Sequence, residues 1–303
     1  MGLRFRSWYA SEIGGNLGRG LSLMVVSGIA AVLTNAGIHH IATELHPFVV
    51  TFFRNLIGVV FLLPLLVRAG IAGLKPNRPG LQLARGLLQA VSAFLFVAGL
   101  ALAPLAKVTA LNFTAPLFAS VLAVAFLGET VRLRRTVALA VGFSGMLVVL
   151  RPWEIALDLG STYILLSAFL WAIGMIVVKI LMRSESSLTT TILTSVISTP
   201  FVFVGALLFW QTPTPEQLLW LAGIGFAYAI SSLAFAEALK QADLTALMPL
   251  DFLKLIWAAI LGFVIFAEVP ETATWIGGAL IFAAATYIAY RERVARTAAP
   301  PPT

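Results

Sequence analysis

The sequence predicts an all-α membrane protein in which ten transmembrane helices form two inverted five-helix repeats around a central cavity. Three observations lead to this prediction: the composition is apolar, long apolar segments recur along the chain, and the second half resembles the first. Hydrophobic residues make up 60% of the 303 residues and charged residues only 11%, with a mean hydropathy of +0.97. Soluble domains carry about 25% charged residues. This chain therefore has too few charges to coat a soluble globule, and a bilayer is its natural solvent.

The composition also excludes several classes of function. The chain has no cysteine, which excludes disulfides, thiolate metal sites and cysteine nucleophiles. Its only histidines are His39, His40 and His46, so the sequence predicts no metal centre. A net charge of +7 could indicate nucleic acid, but the basic cytoplasmic loops of a membrane protein explain it better. We expect no nucleic-acid partner, no cofactor and no enzymatic activity.

Ten segments are long and apolar enough to span a membrane, which takes about 20 residues in a helix. Glycine, proline and charged residues separate them, and no gap is long enough for a soluble domain. The predicted spans are 21–42, 47–67, 81–103, 107–127, 133–150, 160–182, 188–210, 216–238, 244–267 and 272–290. The first span is too long for a signal-peptide core, so we expect it to be retained.

The distribution of basic residues predicts the orientation. With ten spans both termini lie on one side, and placing them in the cytoplasm assigns fourteen Lys and Arg residues to cytoplasmic segments and two to outer loops. Such a bias is the positive-inside pattern. We therefore predict a multi-pass protein of the bacterial inner membrane, with a cytoplasmic N-terminal segment 1–20 and a cytoplasmic C-terminal tail 291–303.

The two halves of the chain, 21–150 and 151–290, resemble each other at a period of about 140 residues. Because each half holds five helices, an odd number, the second half enters the membrane from the opposite side, as in the inverted repeats of secondary transporters. Two such halves can exchange conformations, so that one central site opens to each side in turn. The matched residues are Ser27 with Ser167, His39 with Lys179, Leu111-Asn112-Phe113 with Leu250-Asp251-Phe252, and Glu129 with Glu268.

The residues Phe53-Arg54-Asn55 lie in span 2, Pro116 followed by Gly128-Glu129 in span 4, Trp171-Ala172 in span 6, and Glu268 in the second repeat. Together with ten spans in a five-plus-five repeat, these residues resemble the EamA family of the drug/metabolite transporter superfamily. The resemblance covers about residues 20–290 and implies a central cavity lined by spans 1–4 and 6–9, with spans 5 and 10 peripheral. We expect the branch of bacterial exporters that handle aromatic and neutral amino acids.

Span 9 departs from this pattern. In the register of the repeat, Leu255 replaces the proline that span 4 has at Pro116, and Pro249 lies nearer the start of the span. The sequence therefore leaves open whether span 9 is broken half-way.

Charged residues at mid-span cost about 3 kcal/mol on insertion scales, so their positions are informative. Lys254 lies about ten residues, or roughly 15 Å, into span 9, and Asp251 precedes it by three residues on a similar helix face. Either the two form an ion pair with a structural role, or they line the cavity and contact a charged or zwitterionic substrate.

Five further residues are candidates for substrate binding. Arg54 lies about seven residues into span 2, where its guanidinium either anchors to polar groups at the outer side or binds a substrate carboxylate. Trp171 is too deep for an interfacial belt and is either a packing residue or a wall of the cavity. The others are Asn35 and His39 in span 1, and Asn112, the repeat mate of Asp251, in span 4.

Proton coupling is a further hypothesis, and it depends on His39, Asp251 and Glu237. The alternatives are interfacial hydrogen bonding for His39 and a surface ion pair for Glu237. Arg85 and Lys179 lie near the cytoplasmic ends of spans 3 and 6, so we expect their side chains to snorkel to the surface.

Spans 5 and 10 carry small residues, Gly142 and Gly145 in one and Gly277 and Gly278 in the other. Small residues let helix backbones approach closely. They indicate either close helix packing or a homodimer contact through spans 5 and 10.

The leading interpretation is a secondary active transporter that exports small metabolites, neutral or aromatic amino acids first among them, by alternating access. The alternative is a carrier for uptake or exchange of a larger cationic metabolite such as S-adenosylmethionine. A membrane-embedded lipid-modifying enzyme is least favoured, because the sequence has no HExxH, Gly-x-Ser-x-Gly or P-loop motif. The expected partners are thus a small-molecule substrate and the lipid bilayer.

Overall fold

The computed structural model describes residues 16–41, 44–70, 75–102, 111–129, 133–150, 158–266 and 272–297, and these ranges contain no β-strand. Within them the chain forms α-helices joined by short turns. The helices are α1 (Leu17–Ile41), α2 (Pro47–Ala69), α3 (Pro79–Leu102), α4 (Ala115–Leu127), α5 (Leu133–Leu150), α6 (Leu159–Leu181), α7 (Ser187–Leu208), α8 (Pro215–Gln241), α9 (Leu244–Asp251), α10 (Leu253–Phe266) and α11 (Thr272–Thr297).

These helices follow the predicted spans closely. Helices α1 to α8 correspond to spans 1 to 8, α9 and α10 together to span 9, and α11 to span 10. In the part of the chain that the structure describes, seven of the spans are long and apolar enough to cross a membrane, and α4, α5 and α11 contain shorter apolar stretches of 10–17 residues. The all-helical membrane fold is confirmed, while ten crossings stay a prediction.

Local sequence signals explain where several helices begin. Helices α6 and α8 start with capping boxes, in which Asp158 accepts a hydrogen bond from the Ser161 amide (2.8 Å) and Thr214 from the Gln217 amide (3.3 Å). Proline lies in the first turn of α2, α4 and α8, where its missing N–H costs nothing. At the other end of α4, Gly128 takes the left-handed conformation (φ +66°) that favours glycine at a helix terminus.

The span that the sequence left open is broken. Phe252 forms a turn between α9 and α10, and the described part of span 4 has a turn at Phe113 and Thr114 just before α4. Phe113 and Phe252 are repeat mates, and their rings stack with centroids 6.3 Å apart. The two breaks therefore meet inside the bundle, and the largest cluster of buried apolar side chains includes Phe252.

Two pairs of serines each join two neighbouring helices, and the repeat relates one pair to the other. Helix α1 packs along α8, and α3 packs along α6. Ser27 and Ser231 each donate a hydrogen bond to the other's backbone carbonyl at 2.9 Å. Ser92 and Ser167 do the same at 3.1 and 2.8 Å. All four side chains are buried, so each pair satisfies its polar groups across a close helix contact.

The glycines of spans 5 and 10 serve packing within the chain. A Cβ atom on Gly145 would lie 2.7 Å from the carbonyl oxygen of Gly277, so α5 and α11 touch backbone to backbone. A Cβ atom on Gly142 would lie 2.9 Å from the ring of Phe252. The close-packing alternative is therefore observed, and a homodimer contact stays a prediction.

Candidate functional site

Lys254 and Asp251 form an ion pair at the break of span 9. The Lys254 Nζ atom lies 2.5 Å from Asp251 Oδ1, and the two side chains are 18% and 5% exposed. Asp251 is the last residue of α9 and Lys254 the second of α10. A carboxylate at a helix C-terminus and an ammonium at a helix N-terminus both oppose the helix dipole. The pair is therefore placed where it does not help either helix, which indicates a role other than helix stability.

An aromatic side chain lies against this pair, and a second one stacks on the first. The Lys254 ammonium lies 5.6 Å from the centroid of the Trp171 ring on α6, within the range of a cation–π contact. Trp171 in turn stacks on Phe235 of α8, at 6.1 Å and 24°. The stem of Lys254 lies beside Gly28 of α1, where an added Cβ would be 3.6 Å from its Cγ. The structure thus brings three predicted residues together and adds Phe235, which the sequence analysis did not single out.

Arg54 belongs to a second polar cluster, between α2, α7 and α8. Its guanidinium carbon lies 4.4 Å from the centroid of the Tyr228 ring. Its Nη2 atom donates to the side-chain oxygen of Asn55 at 3.2 Å, and Asn55 donates to the Ser198 hydroxyl at 3.2 Å. Arg54 therefore points into the bundle, toward a tyrosine that the sequence analysis had not identified as a candidate.

Arg85 lies in the same region, and the expectation that it snorkels is wrong. The residue is only 8% exposed, because α6 covers it. A Cβ atom on Gly174 would lie 2.6 Å from Arg85 Nη1, so the absence of a side chain at Gly174 makes room for the guanidinium. Tyr228 interacts electrostatically with both Arg85 and Arg54.

The contacts of the described residues do not join the other predicted site residues to these two clusters. Asn35 on α1 and Asn112 beside the break of span 4 are exposed. His39 is part of α1, but its side chain lies outside the described part of the structure. Glu237 accepts hydrogen bonds from Ser187 (2.5 Å) and Gln241 (2.9 Å) near the end of α8.

Lys179 caps the C-terminal end of α8, so the expectation that it snorkels is also wrong. The side chain is buried, and its ammonium donates to the carbonyl oxygens of Leu239 (2.6 Å) and Ala242 (2.5 Å). These carbonyls are acceptors that the end of a helix leaves unpaired. The favourable position of a cation at a helix C-terminus explains why a lysine can be buried here.

Glu129 caps the helix that follows. Its carboxylate accepts from the backbone amides of Leu244 and Thr245, both at 3.0 Å, and from the Thr245 hydroxyl at 2.7 Å. An anion at a helix N-terminus satisfies free amides and matches the dipole. Glu129 and Lys179 thus hold the turn between α8 and α9 from both sides. The repeat mate Glu268 lies outside the described residues.

Comparison with known proteins identifies the family. The sequence model of the EamA-like transporter family matches residues 18–151 and, a second time, residues 158–290. The chain belongs to the EamA-like transporter family. It is therefore a multi-pass membrane transporter of the drug/metabolite transporter superfamily. The family model matches once in each of the two halves that resemble each other in sequence.

Relatives of this EamA protein are transporters of two large metabolites. The chain is 31% identical over 280 residues to an S-adenosylmethionine uptake transporter of Rickettsia bellii, covering 91% of this chain and 95% of the relative. It is 32% identical over 272 residues to a riboflavin transporter of Rhizobium johnstonii, covering 89% and 90%. The predicted amino-acid exporter branch is not confirmed by these relatives.

A solved structure shares the fold of the chain. A protein of known crystal structure superimposes with a TM-score of 0.77 and 19% sequence identity, over 92% of this chain and 99% of the other. At this identity the likeness concerns the fold alone.

Proposed function

We propose that this EamA protein is a secondary carrier for a metabolite built on a fused nitrogen heteroaromatic ring, with S-adenosylmethionine and riboflavin as the two candidates. The observation that carries the proposal is the Lys254–Asp251 pair set against Trp171, with both charged side chains largely buried. An indole face is a platform for a flat ring, and an ion pair offers both donors and an acceptor to polar groups on its edge. The two relatives described above are named for such compounds.

The proposed mechanism is alternating access by two inverted five-helix repeats that enclose a central cavity. The double family match, the corresponding serine pairs and the breaks at Phe113 and Phe252 support this arrangement. The substrate gradient or a coupled ion drives transport, without enzymatic turnover and without a cofactor. We place both termini in the cytoplasm and the protein in the inner membrane, as the basic residues predict.

Within this proposal the predicted residues have distinct roles. Trp171 receives the ring of the substrate, and Asp251 and Lys254 bind polar groups beside it. Asn35, His39 and Asn112 remain candidates for the wall of the cavity. Proton coupling through His39, Glu237 and Asp251, and a homodimer through α5 and α11, remain predictions.

Transport by the purified protein in proteoliposomes tests the proposal. We expect saturable uptake of labelled S-adenosylmethionine or riboflavin. Analogues that carry the ring of the transported compound should reduce this uptake, and neutral amino acids should not. Competition by amino acids alone would instead support the exporter branch predicted from the sequence. Liposomes that accumulate neither compound above protein-free controls would refute the proposal.

A further inference from the structure

We infer that Arg85, Arg54 and Tyr228 form an anion subsite that holds a carboxylate of the transported metabolite. This inference rests on the proposed function and deepens it, because it states which chemical group the substrate must carry. It begins from Arg85, a buried guanidinium whose Nε and Nη1 atoms have no hydrogen-bond partner among the described residues. Buried donors of this kind are costly unless a partner completes them.

No carboxylate of the described residues pairs with Arg54 or Arg85, the two arginines that interact with Tyr228. Within the described ranges, the partners of Arg54 are the neutral Asn55 oxygen and the tyrosine ring. Charges inside a membrane protein normally pair with one another or face a watery cavity. An anionic ligand would supply the partner that both guanidinium groups lack.

Helix α6 places this subsite next to the aromatic cluster. Trp171 contacts Lys254, and Gly174, three residues later, makes room for Arg85. Residues three apart lie on one face of a helix, with a rise of about 4.5 Å. One ligand can therefore place a flat ring at Trp171 and an anionic group at Arg85.

The charge of the donors and the chemistry of the candidate substrates favour a carboxylate. A guanidinium forms charge-assisted hydrogen bonds to carboxylates, and Arg85 Nε and Nη1 have no hydrogen-bond partner among the described residues. Of the two candidate substrates, S-adenosylmethionine carries a carboxylate and riboflavin carries none. The subsite therefore selects S-adenosylmethionine, or a similar metabolite with a carboxylate, over riboflavin.

The test compares two ligands that differ in this one group, S-adenosylmethionine and its decarboxylated form. We expect the full-length protein in detergent to bind the carboxylate form more tightly by roughly 10- to 100-fold, the range for hydrogen bonds to charged groups. Arg85→Gln removes this difference, because it weakens the binding of S-adenosylmethionine but not of its decarboxylated form. Gly174→Ala does the same by displacing the guanidinium. Arg68→Gln, at an exposed arginine near the end of α2, retains it.

The thermal unfolding midpoint in acetate, phosphate or chloride at equal ionic strength distinguishes a substrate carboxylate from a free inorganic anion. We expect acetate to stabilise the native chain more than the other salts, and this preference to disappear in Arg85→Gln. Equal affinity for the two ligands in the native chain, or equal stabilisation by the three salts, would overturn the inference. If acetate stabilises selectively but no S-adenosylmethionine is transported, the proposed function fails while the subsite stands.

Discussion

The ammonium group of Lys254 lies 5.6 Å from the centroid of the Trp171 ring while its Nζ atom is paired with Asp251. This arrangement depends on the turn at Phe252, because it ends α9 at Asp251 and starts α10 just before Lys254. The equivalent turn at Phe113 lies against it in the first half. Two broken spans that meet are the usual setting for a substrate site in carriers with inverted repeats.

Breaking the ion pair should cost stability. Lys254→Met leaves Asp251 buried without its cation, so we expect the free energy of unfolding to fall by about 3 kcal/mol. The double variant Asp251→Asn/Lys254→Met should recover most of this loss without recovering transport. Thermal unfolding in detergent measures the first effect and proteoliposome uptake the second. Lys240→Met, at an exposed lysine of α8, is the control. A double variant that transports like the native protein would show that the pair is only structural.

Glu129 should determine the stability of the turn between α8 and α9. Glu129→Ala leaves the amides of Leu244 and Thr245 without an acceptor, at a cost of about 2 kcal/mol. Hydrogen exchange at these two amides should accelerate, while Glu216→Ala, at an exposed position of α8, should leave it unchanged. Unaltered exchange in Glu129→Ala would mean that the carboxylate does not hold α9.

The serine pairs should be energetically coupled. Replacing either Ser27 or Ser231 with alanine removes its own hydrogen bond to the opposite carbonyl and also the contact between the two hydroxyls at 3.4 Å. Because both single variants lose this shared contact, the double variant should cost less than the sum. We expect a coupling energy of about 0.6 kcal/mol, the mean for such bonds in membrane proteins. A double-mutant cycle by thermal unfolding measures it. Ser22→Ala combined with Ser231→Ala should be additive, since Ser22 bonds within its own helix.

His46 should give the protein a dependence on pH. Partial burial lowers the pKa of His46 below its usual 6.5, its Nδ1 accepts from the Phe48 amide at 3.3 Å, and its ring stacks on Phe209. The unfolded chain therefore binds this proton at a higher pH than the folded chain. The free energy of unfolding therefore has its full value above about pH 6.5, and it declines as the pH falls through the pKa that His46 has in the folded chain.

His46→Asn tests this dependence, because asparagine keeps the capping acceptor but does not titrate. Thermal midpoints between pH 7.5 and 5 should fall less steeply in this variant than in the native protein. Phe209→Ala, which exposes the imidazole, should reduce the slope in the same way. Identical slopes in all three proteins would contradict the prediction.

The sequence predicts the fold well because lipid imposes a simple rule on it. Apolar segments of about 20 residues locate the helices, and the period of about 140 residues aligns Ser27 with Ser167 and Phe113 with Phe252. The Lys254–Asp251 pair was predictable too, since residues three apart share a helix face.

The burial of the Arg85 and Lys179 side chains could not be predicted from the sequence. Arg85 and Lys179 lie close to the ends of their spans, and depth alone indicates snorkelling. What buries them is long-range: Gly174 accommodates Arg85, and the last carbonyls of α8 attract Lys179. Tyr228 carries no sequence signal of its own, because its role arises from the arginines of α2 and α3.

Uptake of S-adenosylmethionine by proteoliposomes that contain Trp171→Ala tests the central claim most directly. Trp275→Ala is the matched control, since Trp275 is 71% exposed on α11. The account predicts that the Trp171 variant raises the KM by roughly tenfold while Trp171→Phe and the control keep it near the native value. A Trp171→Ala protein that transports with the native KM would show that the substrate ring does not bind at this cluster.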